Sequence, residues 1–370
     1  MPASSIDYME EALTLAQSAV GQTSPNPTVG CVVVQGDEVV GRGFHTWAGR
    51  DHAEVIALRE AGPRAAGATV YVTLEPCSHT GRTGPCAAAL IAAGVKRVVA
   101  AMEDPNPAVR GAGFAQLREA GIEVEIDDRH RAAATRLNEP FVHFMTTGRP
   151  LVTLKAAVTL DGKIAAPEDN DGWITSTNAR GQVQTLRHQH DAILTGIGTV
   201  LADDCRLTDR SGLPRARPLL RIIADSQLRL PPDAAMITAG TADLLIATTS
   251  AASAERRRTL EAKGLEVVVL DGPDGRPSLP ALIQLLAERR YLSLMIEAGS
   301  KLNWAALESG IVDKIYFYYA PKILGGLQSL PVAGGPGRKR RIDAIQFHRV
   351  TLHPIPPDEF AVEAYVHRTH

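Results

Sequence analysis

The sequence predicts an α/β protein of two domains, and three observations lead there. At 370 residues the chain is longer than one hydrophobic core usually grows. Short β-branched runs alternate with helical stretches through both halves, the pattern of largely parallel sheets covered on both faces. Between the halves, the segment from Pro140 to Pro150 carries two prolines and a Thr-Thr-Gly turn signal, which sets the domain limits at 1–147 and 148–370.

In chain order, an amphipathic stretch from Ile6 to Val20, with Ser4 or Ser5 as its cap, reads as a helix. Val29 to Val34 and Glu38 to Phe44 are β-branched runs joined at Gly36-Asp37, a hairpin. Alternation follows: helix from Ala53 to Ala61, strand from Ala68 to Leu74, helix from Pro85 to Ala93, strand from Lys96 to Met102, helix from Gly111 to Ala120, strand from Ile122 to Ile126. In the second half the expected strands are Leu151 to Val158, Ala192 to Thr195, Leu219 to Ala224, Leu244 to Thr248, Glu266 to Leu270, Leu292 to Glu297 and Lys314 to Ala320. Helices are expected near Thr177 to His188, Ala254 to Ala262, Leu279 to Glu288 and Lys301 to Glu308. Two runs, Ile345 to Leu352 and Phe360 to His367, close the chain as an antiparallel pair.

Composition narrows the function. With 45% hydrophobic and 22% charged residues, the chain is ordinary globular protein. A net charge of −2 leaves no domain-wide basic surface for nucleic acid, so small substrates are favoured. The first basic residue is Arg42 and no apolar run approaches the roughly 18 residues of a membrane span, so neither a secretory signal nor a membrane partner is expected and the cytoplasm is the default. Four scattered cysteines do not make a disulfide framework; in a reducing compartment, clustered cysteines point to metal or catalysis, which directs attention to Cys77 and Cys86. Cys31 and Cys205 each stand alone and read as packed thiols.

His52-Ala53-Glu54 opens a helix, Pro76-Cys77 follows a strand, and Cys86 follows Pro85 at the start of another helix, where unpaired N–H groups favour a thiolate. One His and two Cys give a tetrahedral zinc three protein ligands and leave a vertex for water, as a catalytic site requires. Glu54, two residues from a ligand, can take the water's proton and return it. His-x-Glu followed by Pro-Cys-x-x-Cys is the zinc deaminase pattern; here eight residues, SHTGRTGP, separate the cysteines instead of two. Two core thiols would leave His52 and Glu54 without a role, and a structural zinc would normally want a fourth protein ligand.

Segment PCSHTGRTGPC resembles that of the bifunctional riboflavin-biosynthesis deaminase/reductase family, as do SPNPTVGC at 24–31, GFH at 43–45, TLEPC at 73–77 and DPNP at 104–107. The resemblance implies a cytidine-deaminase-like α/β/α fold for the first domain, with Asn26, His45, His79, Arg82 and Asn106 lining a pocket for pyrimidine and ribose phosphate. Asn26 and Asn106 lie between prolines and also read as turn residues; His45 and Arg82 also read as surface residues.

No Gly-x-Gly-x-x-Gly follows a strand in the second half; Gly196-Ile197-Gly198 lacks the third glycine. TLKAA at 153–157, LDGK at 160–163, WITS at 173–176, GTVLADD at 198–204 and EAG at 297–299 are instead similar to the dihydrofolate-reductase-like α/β domain of the same family. By that resemblance NADPH would be met by Ala157, Trp173, Thr199, Asp203 and Ser226. It would also be met by the run Gly299, Ser300, Lys301, Leu302, Asn303, Trp304 and Ala305, where backbone N–H groups at a helix start can cradle a pyrophosphate. Asp171, Arg187, Leu207, Arg210 and Glu297 would meet the substrate. Lys155, polar in a strand that otherwise reads as core, is expected beside the sugar being reduced, with an edge-strand lysine as the alternative. The chain departs from the family at Ala298, usually glycine, and at Asp171, usually serine; weaker cofactor binding is expected from the first.

The expected chemistry is hydrolytic deamination of a diaminopyrimidinone ribosylamine phosphate, then NADPH-dependent opening of the ribose to a ribityl chain, with Zn2+, one per chain, and NADPH as cofactors. A homo-oligomer is the expected assembly. A nucleic-acid base deaminase is disfavoured by the missing basic surface and the second domain. A zinc-stabilised regulatory module would have no use for Glu54.

Overall fold

A computed structural model describes residues 7–47, 50–78, 84–168 and 171–367. The chain divides into two compact units, Met1–Gly148 with Pro214–Arg217 and Arg149–Leu213 with Pro218–His370. No helix among the described residues is long and apolar enough to cross a membrane.

The first unit runs α1 (Tyr8–Gln17), β1 (Gly30–Gln35), β2 (Glu38–Phe44), α2 (Ala53–Ala61), β3 (Thr69–Val72), α3 (Cys86–Ala92), β4 (Arg97–Ala100), α4 (Ala112–Glu119), β5 (Glu123–Ile126), α5 (Arg131–Leu137) and α6 (Glu139–Thr147). Its five-stranded sheet has the order β2-β1-β3-β4-β5; β1 is antiparallel to both neighbours, and β3, β4 and β5 are parallel. Glycine fixes how α2 sits. A Cβ at Gly41 or Gly43 would strike the backbone of Ala57 or Ala53, so both glycines let α2 lie directly on β2. That close approach delivers the start of α2, with His52 and Glu54, to its place in the site.

The second unit runs β6 (Leu151–Thr159), β7 (Lys163–Ala165), α7 (Thr177–Gln189), β8 (Ala192–Gly196), α8 (Ile197–Asp203), β9 (Leu220–Ala224), α9 (Ala235–Thr238), β10 (Leu244–Thr248), α10 (Ala254–Glu261), β11 (Glu266–Val269), α11 (Leu279–Glu288), β12 (Ser293–Ile296), α12 (Ser300–Glu308), β13 (Lys314–Ala320), β14 (Leu330–Pro331), β15 (Phe347–Ile355) and β16 (Glu359–Val366). Nine strands form one sheet in the order β11-β10-β9-β8-β12-β6-β13-β16-β15, parallel from β11 to β13 and antiparallel across β16 and β15. Alternation along β6 and β13 separates the two faces. Leu154, Ala156, Val158, Ile315 and Phe317 enter the large core under α11 and α12, while Ala157, Tyr316 and Tyr318 face α7 with Val183 and Leu186.

Several local features depart from the sequence reading. Helix α1 is shorter than expected at both ends, and its cap is Asp7, whose carboxylate accepts from the N–H groups of Met9 and Glu10; Ser4 and Ser5 lie outside the described residues. The turn-rich segment before Pro150 is helical through Thr147. Pro140 sits in the first turn of α6, where its missing N–H costs nothing, and the helix stops at Gly148 with φ 73°. Helices α5, α8 and α9 and the small β7–β14 pair were not foreseen; each is short, with few residues to carry a periodic signal.

Candidate active sites

His52 occupies the cap of α2 without bonding the helix N–H groups, so its ring is left for other work. Its Nδ1 lies 3.2 Å from Cys86 Sγ and 3.6 Å from Cys77 Sγ, and the Cys86 N–H donates to Cys77 Sγ at 3.3 Å. These are the spacings expected of neighbouring ligands on a tetrahedral zinc, about 3.6 Å apart for Zn–N and Zn–S bonds near 2.0 and 2.3 Å. The three donor atoms form one cluster within 4.8 Å of one another. The Cys77 thiol is held down to about 4, first by the bond from the Cys86 thiol, against the cost of burial, and then by His52. Cys86 is pushed up by that same bond and by burial. Two adjoining thiols thus share a proton, and a dication between them is what allows both to be thiolates. The donor set fits zinc.

Glu54, two residues into α2, is 3% exposed. Burial first, with the neighbouring Cys77 charge adding, pushes its carboxyl up to about 7, the range of a group that both accepts and returns a proton near neutrality. His45 is buried, not a surface residue; its ring lies 5.1 Å from that of His52, edge to face. Asn26 Nδ2 lies 3.1 Å from His45 Nε2, and His45 Nδ1 lies 3.2 Å from the Asp51 carbonyl. A donor at Nδ1 and an acceptor at Nε2 define a neutral imidazole, and burial lowers the pKa of this ring. Asn26, His45 and the metal cluster are therefore one contiguous group. Asn106 sits in the loop after β4, where its Oδ1 accepts the Ala108 N–H, so part of its side chain does serve a turn. His79 and Arg82 lie outside the described residues.

Two further residues shape this site and escaped sequence reasoning. Glu75, buried just before Pro76-Cys77, accepts N–H groups from Asp104, Gly111, Gly113 and Phe114, and so fixes the loop that carries Asn106. Asn138 accepts the Thr28 N–H at 2.7 Å and donates to the Thr28 carbonyl at 2.9 Å, pinning the loop that carries Asn26. A buried acid beside a metal-ligand cysteine was a legible hint for Glu75. Nothing near Asn138 in sequence pointed 110 residues back.

In the second unit, Lys155 Nζ donates to Glu297 Oε1 at 2.9 Å, and Arg187 grips Glu297 Oε2 through Nε at 3.1 Å and Nη2 at 2.9 Å. Lys155 lies on β6 between β12 and β13 and is 7% exposed, which disposes of the edge-strand reading. Burial alone would push Glu297 up; Lys155 and Arg187 outweigh it and hold the carboxyl down to about 2. Arg187 also donates to the Thr208 carbonyl at 3.1 Å, and Gln184 accepts the Arg210 N–H at 3.0 Å, so α7 holds the segment that contains Leu207 and Arg210. The Leu207 side chain is buried in the core, and its backbone takes the left-handed φ of 50°.

The chain leaves β8 toward β9 and leaves β12 toward β13 on the other side, so β8 and β12 form the switch point of the sheet, where α/β proteins bind their ligands. Thr199 and Gly299 meet there: a Cβ on Gly299 would lie 3.4 Å from Thr199 Oγ1. Beyond Gly299, the N–H groups of α12 before Leu302, whose own N–H bonds the Gly299 carbonyl, have no carbonyl one turn back, a cradle that fits a cofactor pyrophosphate. Ala298 does not take the positive φ that would demand glycine, and it packs on the core. Within the following run the side chains point several ways. Ser300 bonds the Pro331 carbonyl, Asn303 donates to Val332 at 2.8 Å, Leu302 packs on Gly196, Ala305 packs on the core, and Arg338 lies over the Trp304 ring. Lys301 is exposed. Trp173, 71% exposed with Arg180 over its ring, offers an aromatic platform next to the exposed Asp171. Asp203 ends α8 and Ser226 lies in the turn after β9, where its carbonyl accepts from Thr249.

A zinc-ligand cluster with a buried carboxylate in one α/β unit, and a buried lysine ion-paired to a glutamate that follows β12 in another, define a two-site enzyme, a zinc-dependent deaminase joined to a reductase. Family comparison agrees. Residues 3–102 match the cytidine and deoxycytidylate deaminase zinc-binding region, and residues 150–354 match the RibD C-terminal domain. Riboflavin biosynthesis protein RibD of Actinobacillus pleuropneumoniae is 42% identical over 92% of this chain and 90% of its own length; that of Escherichia coli is 43% identical over 95% and 96%. The solved structure of Acinetobacter baumannii RibD superposes with a TM-score of 0.87 at 37% identity, covering 98% of both chains. A diaminohydroxyphosphoribosylaminopyrimidine deaminase/5-amino-6-(5-phosphoribosylamino)uracil reductase from Thermotoga maritima gives 0.83 at 33%, covering 97% of this chain and 98% of its own. The chain belongs to the RibD family of bifunctional riboflavin-biosynthesis enzymes, with Zn2+ and NADPH as cofactors.

Proposed function

We propose that the first unit, residues 1–147, deaminates 2,5-diamino-6-(5-phosphoribosylamino)pyrimidin-4(3H)-one and that the second, residues 148–370, reduces the ribosyl group of 5-amino-6-(5-phosphoribosylamino)uracil to ribityl. The observation that carries the reading is the buried Glu54 beside a three-donor metal cluster in the same chain as the Lys155–Glu297–Arg187 group.

His52, Cys77 and Cys86 would hold zinc, which would supply an activated water as nucleophile. Glu54 takes the proton and delivers it to the departing amine, so that water is consumed and ammonia leaves. Asn26, His45 and Asn106 position the pyrimidine, and His79 and Arg82 the phosphate. In the second site Gly299–Ala305, with Ala157, Trp173, Thr199, Asp203 and Ser226, would hold NADPH, which would supply the hydride. Lys155 keeps N–H donors beyond the one given to Glu297, and these meet the sugar oxygen that becomes a ribityl hydroxyl. Glu297, Arg187, Arg210, Asp171 and the Leu207 backbone orient the rest of the substrate. The setting we infer is a cytoplasmic homo-oligomer.

The test is direct. Purified protein is given the diaminopyrimidine ribosylamine phosphate with and without NADPH, and the products are identified. Ammonia release without NADPH, and ribityl product with it, are expected; the absence of both overturns the reading.

A further inference from the structure

Tyr318 carries a hydroxyl that the protein does not use. The residue is 1% exposed, and its Oη has no hydrogen-bond partner among the described residues. Around it stand Ala179 and Val183 from α7, with Ile355 and Ala361, an apolar setting in which phenylalanine would pack equally well. An orphaned buried hydroxyl is destabilising, so a tyrosine here is explained by a partner from outside the chain. Its position says which.

In the parallel pairing of β6 and β13, Lys155 stands opposite Tyr316 and Ala157 opposite Tyr318. Alternation then puts Lys155, Ala157, Tyr316 and Tyr318 on the face toward α7, the reverse of the face buried under α12. Helix α7 covers that face with Val183 and, one turn on, Arg187, whose guanidinium grips Glu297. The phenol therefore lies on the same floor as the Lys155–Glu297–Arg187 group. We propose that the Tyr318 hydroxyl donates a hydrogen bond to the phosphoribosylamino substrate of the reductase and is a substrate-contacting residue of that site. Burial first, with Tyr316 and Glu297 adding, pushes the Tyr318 phenol well above its ordinary range, so it remains a donor at every working pH.

The inference rests on the reductase reading of the second unit, and the experiment separates the two. Tyr318→Phe in the full chain removes one oxygen and keeps the ring. With the deaminated ribosylaminouracil phosphate and NADPH, kcat/KM for reduction should fall about three- to tenfold, the scale of one neutral hydrogen bond. The tyrosine ultraviolet difference signal on substrate binding should shrink with it. NADPH affinity and ammonia release by the first unit should hold, and the melting temperature should hold or rise because the unpaired buried hydroxyl is gone; these report that the variant is folded. An unchanged kcat/KM overturns the inference, as does a loss confined to NADPH affinity, which would make the cofactor the partner. If the wild-type chain fails to oxidise NADPH with this substrate, the reductase reading falls and takes the inference with it.

Discussion

Glu297 shows how three residues far apart in sequence become one chemical unit. An isolated carboxyl at this depth would be pushed toward neutrality; here two cations reverse the sign and hold it at about 2 instead of the ordinary 4.5. Because the folded value is depressed, the stability it contributes is present above about pH 4.5 and is lost as pH falls from there toward 2. Thermal melts of the second unit across that interval should slope downward with acid, and Glu297→Gln should flatten the slope. At pH 7 the same variant should melt lower, because Lys155 and Arg187 are left buried without their acid, a loss on the order of 3–5 kcal/mol. A melt as steep as the wild type's would assign the acid sensitivity elsewhere. The sequence pointed to Lys155 because a charge inside an apolar run is visible as such, and to Glu297 through the family resemblance of the segment that holds it. Asn138 and Tyr318 were not visible and Glu75 only hinted at, since a buried side chain's task depends on partners 29 to 110 positions away, or on a ligand.

Most helices and strands were readable because their patterns are clean: valine-rich runs for β1 and β2, an apolar run for β10, an aromatic run for β13, a strong apolar stripe for α11. Helix α6 was misread from its composition. Pro140 is harmless in a first turn, and Thr146 and Thr147 satisfy their hydroxyls on carbonyls one turn back instead of breaking the helix. The junction of α5 and α6 then has a function of its own, since Asn138 stands there and ties down the loop bearing Asn26. Asn138→Ala leaves the Thr28 N–H and carbonyl buried without that partner, a loss of about 1–3 kcal/mol for each. The first unit should melt earlier, and the deaminase KM should rise several-fold while zinc content holds. A normal KM in a destabilised variant would reduce Asn138 to a structural tie. At the start of α12, Ala298→Gly should leave NADPH affinity within about twofold, because the alanine already takes ordinary backbone; a large change would mean that this turn rearranges when the cofactor binds.

At the scale of the whole molecule, the chain folds as two units, each with its own sheet and each holding its own polar cluster: His52, Glu54, Cys77 and Cys86 in the first, Lys155, Arg187 and Glu297 in the second. Two cores imply two separable chemistries. Removing zinc with a chelator should stop deamination and lower the melting of the first unit, because three ligands lose the cation that reconciles their charges, while NADPH oxidation with ribosylaminouracil phosphate continues. Substitution should separate the sites more sharply than metal removal. Glu54→Gln keeps the side chain's shape and all three zinc ligands, but it removes the carboxylate that carries the proton, so deamination should fall by about two to four orders of magnitude at normal zinc content. Reduction should persist. Glu297→Ala is the reciprocal variant, expected to release ammonia at the wild-type rate and to oxidise little NADPH. Each variant is assayed for both products with zinc content and melting measured alongside, so that a dead site is distinguished from an unfolded unit. Loss of both activities in a Glu54→Gln protein that is fully loaded and normally stable would mean that the sites depend on each other, and the independence argued from the two cores would have to be given up.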